Sequence, residues 1–81
     1  MKAKIFVTLK NGILDPQGRA VQQSLHTLGF STVEEVRIGK FMELDLRETD
    51  TTSAENQIKA MCEKLLANTV IEDYQYEILK P

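Results

Sequence analysis

The sequence has little with which to cross-link a small domain. It contains one cysteine, Cys62, and one histidine, His26, among 81 residues. A single cysteine cannot form an intramolecular disulfide, and the chain lacks the paired spacing that zinc sites need. Domains of this size bury a modest share of their surface and commonly depend on a disulfide, a metal or a partner subunit. Of these three supports, a partner subunit is the one that the sequence leaves possible.

Long apolar runs and clusters of one charge are also lacking. No stretch approaches membrane-spanning length, and the N-terminal MKAKIFVTLK has neither the apolar core nor the cleavage site of a signal peptide. The 10 basic and 12 acidic side chains are mixed, so the electrostatic footprint of a nucleic-acid binder is absent. We therefore expect a cytoplasmic protein with no nucleic-acid or membrane partner, built as a single domain over residues 1–81.

What is present is a regular succession of strand and helix patterns. Residues 2–10 alternate between apolar and polar, which is typical of a half-buried strand. A helical period begins at Pro16, with Asp15 as the expected N-cap and Gly29 as the expected stop. Val21, Leu25 and Leu28 share one face of this helix.

The second half of the chain continues the succession. The run TVEEVRIGKFMELDLR breaks at Gly39 and predicts a hairpin, and Thr52 with Glu55 fits a capping box before a second apolar helix. Asn68 is the expected stop of that helix, and VIEDYQYEIL predicts a last strand.

The hairpin's register follows from its faces. Val36 and Ile38 lie on the face of Met42, Leu44 and Leu46 only if opposed residue numbers sum to an even value. One such register sets residue 37 against 43, a favourable pair of charges, but also sets residue 35 against 45, two acids.

The predicted order β-α-β-β-α-β is that of an α+β, ferredoxin-like split unit: a four-stranded antiparallel sheet with two helices on one face. The other face would display the opposite phase, including Phe6, Arg37, Phe41 and Glu43. Two large aromatic side chains facing water are costly enough to suggest covering by a partner. Phe6 and Phe41 are therefore candidates for a self-association face.

No catalytic, cofactor-binding or metal-binding residues are predicted. His26 has no recognisable Ser, Cys or acid arranged with it, and Cys62 lies on an apolar stripe where a thiol packs as a small hydrophobe. The glycines of NGILDPQG do not have phosphate-loop spacing, and Asp15 already occupies the helix N-terminus. Gly18 is open to two interpretations: tolerance of glycine in a first helical turn, or close approach of another backbone.

Several blocks carry a family resemblance: GILDPQG followed by AV, then LGF, VRIGK with MELDL, and MCEKLLAN running into VIEDY. Together they resemble the PurS family, the small subunits of phosphoribosylformylglycinamidine synthase, over nearly the whole chain. Thr69 stands where a proline is common. The resemblance implies a role in purine synthesis, in the ATP-dependent conversion of formylglycinamide ribonucleotide to its amidine.

The resemblance also implies a division of labour. A large synthetase subunit would bind ATP, Mg²⁺ and the ribonucleotide, a glutaminase subunit would release ammonia, and the small subunit would bridge them without an active site of its own. It implies small-subunit dimers with sheets packed together, and we expect a homodimer or a higher homo-oligomer. Five residues in the most recognisable blocks become partner-interface candidates: Asp15, Gln17, Gly18, Arg37 and Lys40. The alternative is a ligand-sensing regulatory domain of the ACT type, which shares the topology and would bind a small molecule by itself.

Overall fold

The computed structural model describes residues 1–80 of the chain. The elements follow in the order β1 (Lys2–Leu9), α1 (Pro16–Thr27), β2 (Lys40–Asp45), α2 (Thr51–Met61) and β3 (Glu72–Leu79), and a π-helical turn at Cys62–Leu66 prolongs α2. The class is α+β, as predicted. Within residues 1–80, neither helix has the length and apolar character needed to cross a membrane.

The sheet is antiparallel and has β1 at its centre, in the order β2-β1-β3. Ile5 lies opposite Met42 on one side and Tyr76 on the other. The apolar phase of β1 faces α2 and is buried, which confirms the predicted alternation. These β1 side chains pack with residues of α2 and of the segment after it. The buried core cluster consists of Ala3, Ile5, Val7, Ile58, Cys62 and Ala67.

The predicted ends of α1 are confirmed. The Asp15 carboxylate accepts a hydrogen bond from Gly18 N, and Pro16 occupies the first turn, where it leaves no N–H unpaired. Gly29 has φ of 102°, a left-handed conformation that a residue without a side chain adopts at low cost.

The predicted capping box of α2 is wrong. Asp50 is the N-cap and accepts a hydrogen bond from Ser53 N at 3.0 Å, so the helix begins at Thr51. A short carboxylate is as good a cap as threonine, and Glu48 favours this start by accepting hydrogen bonds from Thr49 N and Asp50 N.

Residues 1–80 form three strands where four were predicted, and the hairpin at Gly39 does not form among them. Residues 33–39 have no strand structure and run beside α1. Local hydrogen bonds hold them there: Ile38 N donates to Asp15, and the side chain of Gln22 donates to Glu34 O. These contacts hold the segment away from β2, with which it would pair in the predicted hairpin.

Helix α1 and residues 28–39 together form an arm, residues 16–39, that projects from the sheet. The prediction that both helices cover one face is therefore wrong for the single chain, because among residues 1–80 α2 is the helix that packs against the sheet. Val21 and Leu28, expected in the core, are 39% and 72% exposed. The radius of gyration is 16.2 Å, whereas a compact domain of this length has about 12 Å.

Candidate interaction site

The loop between β1 and α1 meets the end of the arm at a junction formed by residues 9–18 and 36–40. Asp15 lies at its centre and is 6% exposed. Its Oδ1 accepts from Gly18 N and its Oδ2 from Ile38 N, both at 2.8 Å. These two N–H donors, and then the positive charge of Arg37, hold the pKa of the Asp15 carboxyl below its ordinary value. One carboxylate thus caps the helix and fixes the arm.

Gly18 is required by close packing of two backbones. A Cβ at this position would lie 2.9 Å from the carbonyl carbon of Val36 and would also overlap the carbonyl oxygen. Real side chains do not tolerate such contacts, and the neighbour is backbone rather than a flexible side chain. Of the two interpretations open at the level of sequence, the close approach of another backbone is the one that the structure supports.

Arg37 binds the other side of the junction. Its Nη1 donates to Ile13 O at 3.1 Å, and its Nη2 donates to Leu9 O and Lys10 O at 3.2 and 3.0 Å. The planar guanidinium suits several carbonyl oxygens at once. Arg37 therefore connects the end of β1 and the following loop to the arm.

The side chains of Gln17 and Lys40 make fewer polar contacts within the chain. Both line a cavity of about 220 Å³ beside Asp15 and Gly39. The Lys40 ammonium lies 3.9 Å from the carboxylate of Glu72, and its side chain is mostly exposed. Among the five interface candidates, these two side chains are the ones that present polar groups outward at the junction.

Phe6 and Phe41 lie directly opposite each other on neighbouring strands, on the face of the sheet that α2 leaves open. Their ring centroids are 5.2 Å apart with the planes tilted by 32°, a favourable aromatic geometry. The side chains are 36% and 53% exposed. The expected aromatic pair is thus present and accessible, and Phe41 directly follows Lys40 of the junction.

The residues with nucleophilic or basic chemistry are used structurally. The Nε2 of His26 lies 2.6 Å from Val33 O, which places a hydrogen on that nitrogen. Cys62 is fully buried, and burial raises the pKa of its thiol. Within residues 1–80 there is no group of three or more His, Cys, Asp or Glu side chains placed to hold a metal ion.

Two further residues have structural roles that sequence reasoning did not assign to them. A Cβ at Gly39 would lie 2.5 Å from Val7 O, so this glycine lets the arm pass the end of β1. Glu48 accepts from Ser53 Oγ and Gln57 Nε2 as well as from two backbone N–H groups, and these hydrogen bonds lower the pKa of its carboxyl. Of these two residues, only Gly39 stood out in the sequence, because the alternation of apolar residues breaks there. That break was interpreted as a turn.

Comparison with known proteins gives one consistent family. The family described as PurS: Phosphoribosylformylglycinamidine (FGAM) synthase matches residues 2–80. The chain is 54% identical over 77 residues to the phosphoribosylformylglycinamidine synthase subunit PurS of Bacillus subtilis, covering 95% of this chain and 90% of that protein. It is 52% identical over 75 residues to the PurS subunit of Synechocystis, covering 93% and 75%.

Solved structures agree with the sequence comparison. The structure of B. subtilis PurS superposes with a TM-score of 0.88 at 53% identity, covering 98% of each chain. A chain in the structure of PurLQS from Thermotoga maritima superposes with a TM-score of 0.87 at 29% identity, covering 96% of this chain and 95% of that one. These relatives give no support to the alternative of an ACT-type sensor.

Proposed function

Since this chain belongs to the PurS family of phosphoribosylformylglycinamidine synthase subunits, we propose that it bridges the synthetase and glutaminase subunits of that enzyme in purine biosynthesis. In this role it lets ammonia released from glutamine reach the synthetase and forms no bond itself. The observation that carries the proposal is the near full-length likeness to a chain of PurLQS, which is an assembly of PurS with other subunits by its name.

We assign ATP and Mg²⁺ to the synthetase subunit. The N-terminus of α1, where a phosphate would bind most readily, is occupied by the Asp15 carboxylate. Its negative charge opposes an anion at that position. The residues of this chain therefore do not fit a nucleotide at that helix end.

The junction is the surface proposed to meet the other subunits. Gln17 and Lys40 would make the direct contacts, while Asp15, Gly18 and Arg37 would hold the junction in shape through the bonds described above. The open face around Phe6 and Phe41 is proposed for self-association, in a cytoplasmic, single-domain subunit that acts as a homodimer. The four-stranded, ferredoxin-like arrangement is proposed for that dimer rather than for the isolated chain.

Reconstitution tests the bridging role. Synthetase and glutaminase subunits are assayed with and without this chain, using either glutamine or ammonium chloride as the nitrogen source. Bridging predicts that omission abolishes glutamine-dependent synthesis and leaves ammonia-dependent synthesis nearly unchanged. Glutaminase activity is measured in parallel, so that a loss of ammonia transfer is distinguished from a loss of ammonia production. An equal loss with both nitrogen sources would contradict the proposal.

A further inference from the structure

The loop between β1 and α1 begins with a turn that carries Asn11 followed by Gly12. Lys10 O accepts a hydrogen bond from Ile13 N at 3.2 Å, which closes the turn around this pair. Gly12 has φ of 86°, the left-handed conformation that glycine adopts readily at the third position of such a turn. Both residues are exposed to solvent. The side-chain amide of Asn11 thus lies beside a main-chain nitrogen that no side chain of its own residue shields.

Nothing in the structure restrains a reaction between these two groups. Within residues 1–80, neither Gly12 N nor the Asn11 side chain takes part in a hydrogen bond. A Cβ placed on Gly12 would have no heavy atom within 4 Å, so the space around the turn is open. A nucleophile and an electrophile held on adjacent residues react far faster than separate molecules do. The pair is therefore well placed for attack of the Gly12 nitrogen on the Asn11 amide carbon.

The two other asparagines of the chain are held by their surroundings. Asn56 lies within α2, where the N–H of Gln57 donates along the helix. Asn68 lies after α2, and its Oδ1 accepts a hydrogen bond from Val70 N at 3.2 Å. Each is followed by a residue with a side chain, Gln57 or Thr69, which hinders approach of the next main-chain nitrogen. These two asparagines are internal controls for the reactivity of residue 11.

The carbonyl oxygens that Arg37 binds lie on both sides of this pair. Leu9 O and Lys10 O precede it and bind Nη2 at 3.2 and 3.0 Å, while Ile13 O follows it and binds Nη1 at 3.1 Å. The guanidinium is a rigid planar fork, so the three oxygens must keep fixed positions relative to one another. Those positions depend on the length of main chain between residues 10 and 13. A change in that length would move carbonyl oxygens away from Arg37.

We propose that Asn11 is a site of spontaneous deamidation that alters the main chain at the junction. Gly12 N loses its proton and forms a bond to Cγ of Asn11, the bond from Cγ to the amide nitrogen breaks, and ammonia leaves. The product is a succinimide ring.

Water then opens the ring by breaking one of the two carbonyl bonds to Gly12 N. Opening at the main-chain carbonyl carbon leaves the chain running through Cβ and Cγ, as isoaspartate, with one additional carbon atom between residues 11 and 12. Opening at Cγ gives aspartate. Either product carries a carboxylate in place of a neutral amide, and no electrons are transferred. Isoaspartate is the product that lengthens the chain between the carbonyl groups bound by Arg37.

The test uses the purified full chain, incubated at physiological temperature over a series of pH values. Peptide mass spectrometry locates the conversion of amide to carboxylate, released ammonia is measured per chain, and methyl transfer by an isoaspartyl methyltransferase counts isoaspartate. Deamidation at Asn11 predicts conversion of residue 11 before residues 56 and 68, with release approaching one ammonia per chain. The rate should rise with pH, because the attacking nitrogen must lose its proton. The Asn11→Gln variant keeps an amide but would have to close a larger ring, so it should release hardly any ammonia.

The effect on the junction is measured by urea unfolding before and after incubation. The incubated wild type should unfold at a lower urea concentration than the fresh protein, and incubated Asn11→Gln should not change. In Arg37→Ala, which lacks the guanidinium, incubation should cause a smaller further loss than in the wild type. Conversion at residue 11 no faster than at residues 56 and 68 overturns the proposal, as does isoaspartate at residue 11 with an unchanged unfolding midpoint. Neither measurement involves the synthetase or the glutaminase, so failure here would leave the bridging role to be decided by reconstitution.

Discussion

The Asp15 carboxylate accepts a hydrogen bond from Ile38 N at 2.8 Å, across 23 residues of sequence. The same side chain caps α1, so the start of the helix and the end of the arm depend on one charged group. This relationship keeps residues 33–39 beside their own helix and away from their own β2. The extended shape of the chain, and with it the surfaces left for partners, follows from that contact.

Stability should depend on pH through Asp15. Its folded pKa is lowered from 3.8 by hydrogen bonds to Gly18 and Ile38, so its contribution is fully present above the unfolded value and is lost as pH falls through the folded value. Urea unfolding from about pH 7 to about pH 3 measures this. The Asp15→Asn variant should be less stable at neutral pH and should lose less stability on acidification. Glu48→Gln serves as a comparison, because the pKa of Glu48 is lowered too. If wild type and Asp15→Asn lost stability identically on acidification, Asp15 would not be the source of the pH dependence.

Replacing Gly18 with alanine should destabilise the protein, although alanine favours a helix by up to about 1 kcal/mol. The added Cβ meets the Val36 backbone, which cannot yield without moving the arm. We expect a net loss of about 1–3 kcal/mol in the free energy of unfolding, measured in urea. Ser24→Ala, an exposed position on the same helix, should change it by less than about 0.5 kcal/mol. A stabilised Gly18→Ala variant would show that the close approach is absent in solution.

The Lys40→Ala variant should weaken association with the other subunits while the fold is kept. The ion pair with Glu72 is long, at 3.9 Å, and the Lys40 side chain is mostly exposed, so its loss costs less than about 1 kcal/mol of stability. A contact at the rim of an interface is worth about 1 kcal/mol, or roughly fivefold in affinity. The measurement is titration of this chain into the glutamine-dependent assay, with Lys59→Ala on α2 as the control. Equal half-saturation for the two variants would place the contact away from the junction.

The open sheet face should respond to charge at Phe41. In the Phe41→Glu variant the aromatic pair with Phe6 is lost and a carboxylate enters the proposed dimer contact. Burying an unpaired charge costs on the order of 2 kcal/mol or more, so sedimentation should shift towards monomer. Phe41→Leu keeps an apolar side chain and should remain dimeric. A dimer of unchanged affinity in Phe41→Glu would exclude this face from the contact.

An apolar groove beside α2, lined in part by Leu44, Met61 and Leu65, can be tested with a matched pair of exposed residues. Leu65 and Val70 are 83% and 81% exposed in the chain, so glutamate at either position should leave the monomer's stability within about 0.5 kcal/mol. If α1 of a second copy covers the groove, Leu65→Glu alone should weaken the dimer, by about 2 kcal/mol or roughly 30-fold. Analytical ultracentrifugation over a concentration series gives the dissociation constants. Equal constants for the two variants would mean that the groove is not covered.

The elements that the sequence predicted well are those with local causes. The alternation in β1 set which side chains would be buried, and Asp15, Pro16 and Gly29 marked both ends of α1 because caps act within one turn. The cap of α2 was misplaced by two residues because two short polar side chains compete for the same N–H groups. Phe6 and Phe41 were correctly placed together on one face, since parity alone decides the face of a strand.

The junction was the part that could not be predicted. Five residues were selected as contact candidates by resemblance. The sequence predicted Asp15 as a helix cap and left open a close backbone approach at Gly18, but it did not indicate that these residues and Arg37 contact distant backbone of the same chain. Such contacts join residues about 20 or more positions apart and depend on how the arm lies in space. The break at Gly39 was interpreted as a turn, whereas the structure uses that glycine to pass the Val7 carbonyl.

The sequence by itself determined the α+β class, the faces of the strands, the caps of the first helix and the family. Each of these depends on residue type and spacing, which tertiary contacts do not change. Only the tertiary structure decided that three strands pair within one chain and that α1 stands away from the sheet. The reason is that the same apolar pattern satisfies a closed hairpin and an extended arm equally well, and the choice between them rests on a few long-range contacts around Asp15.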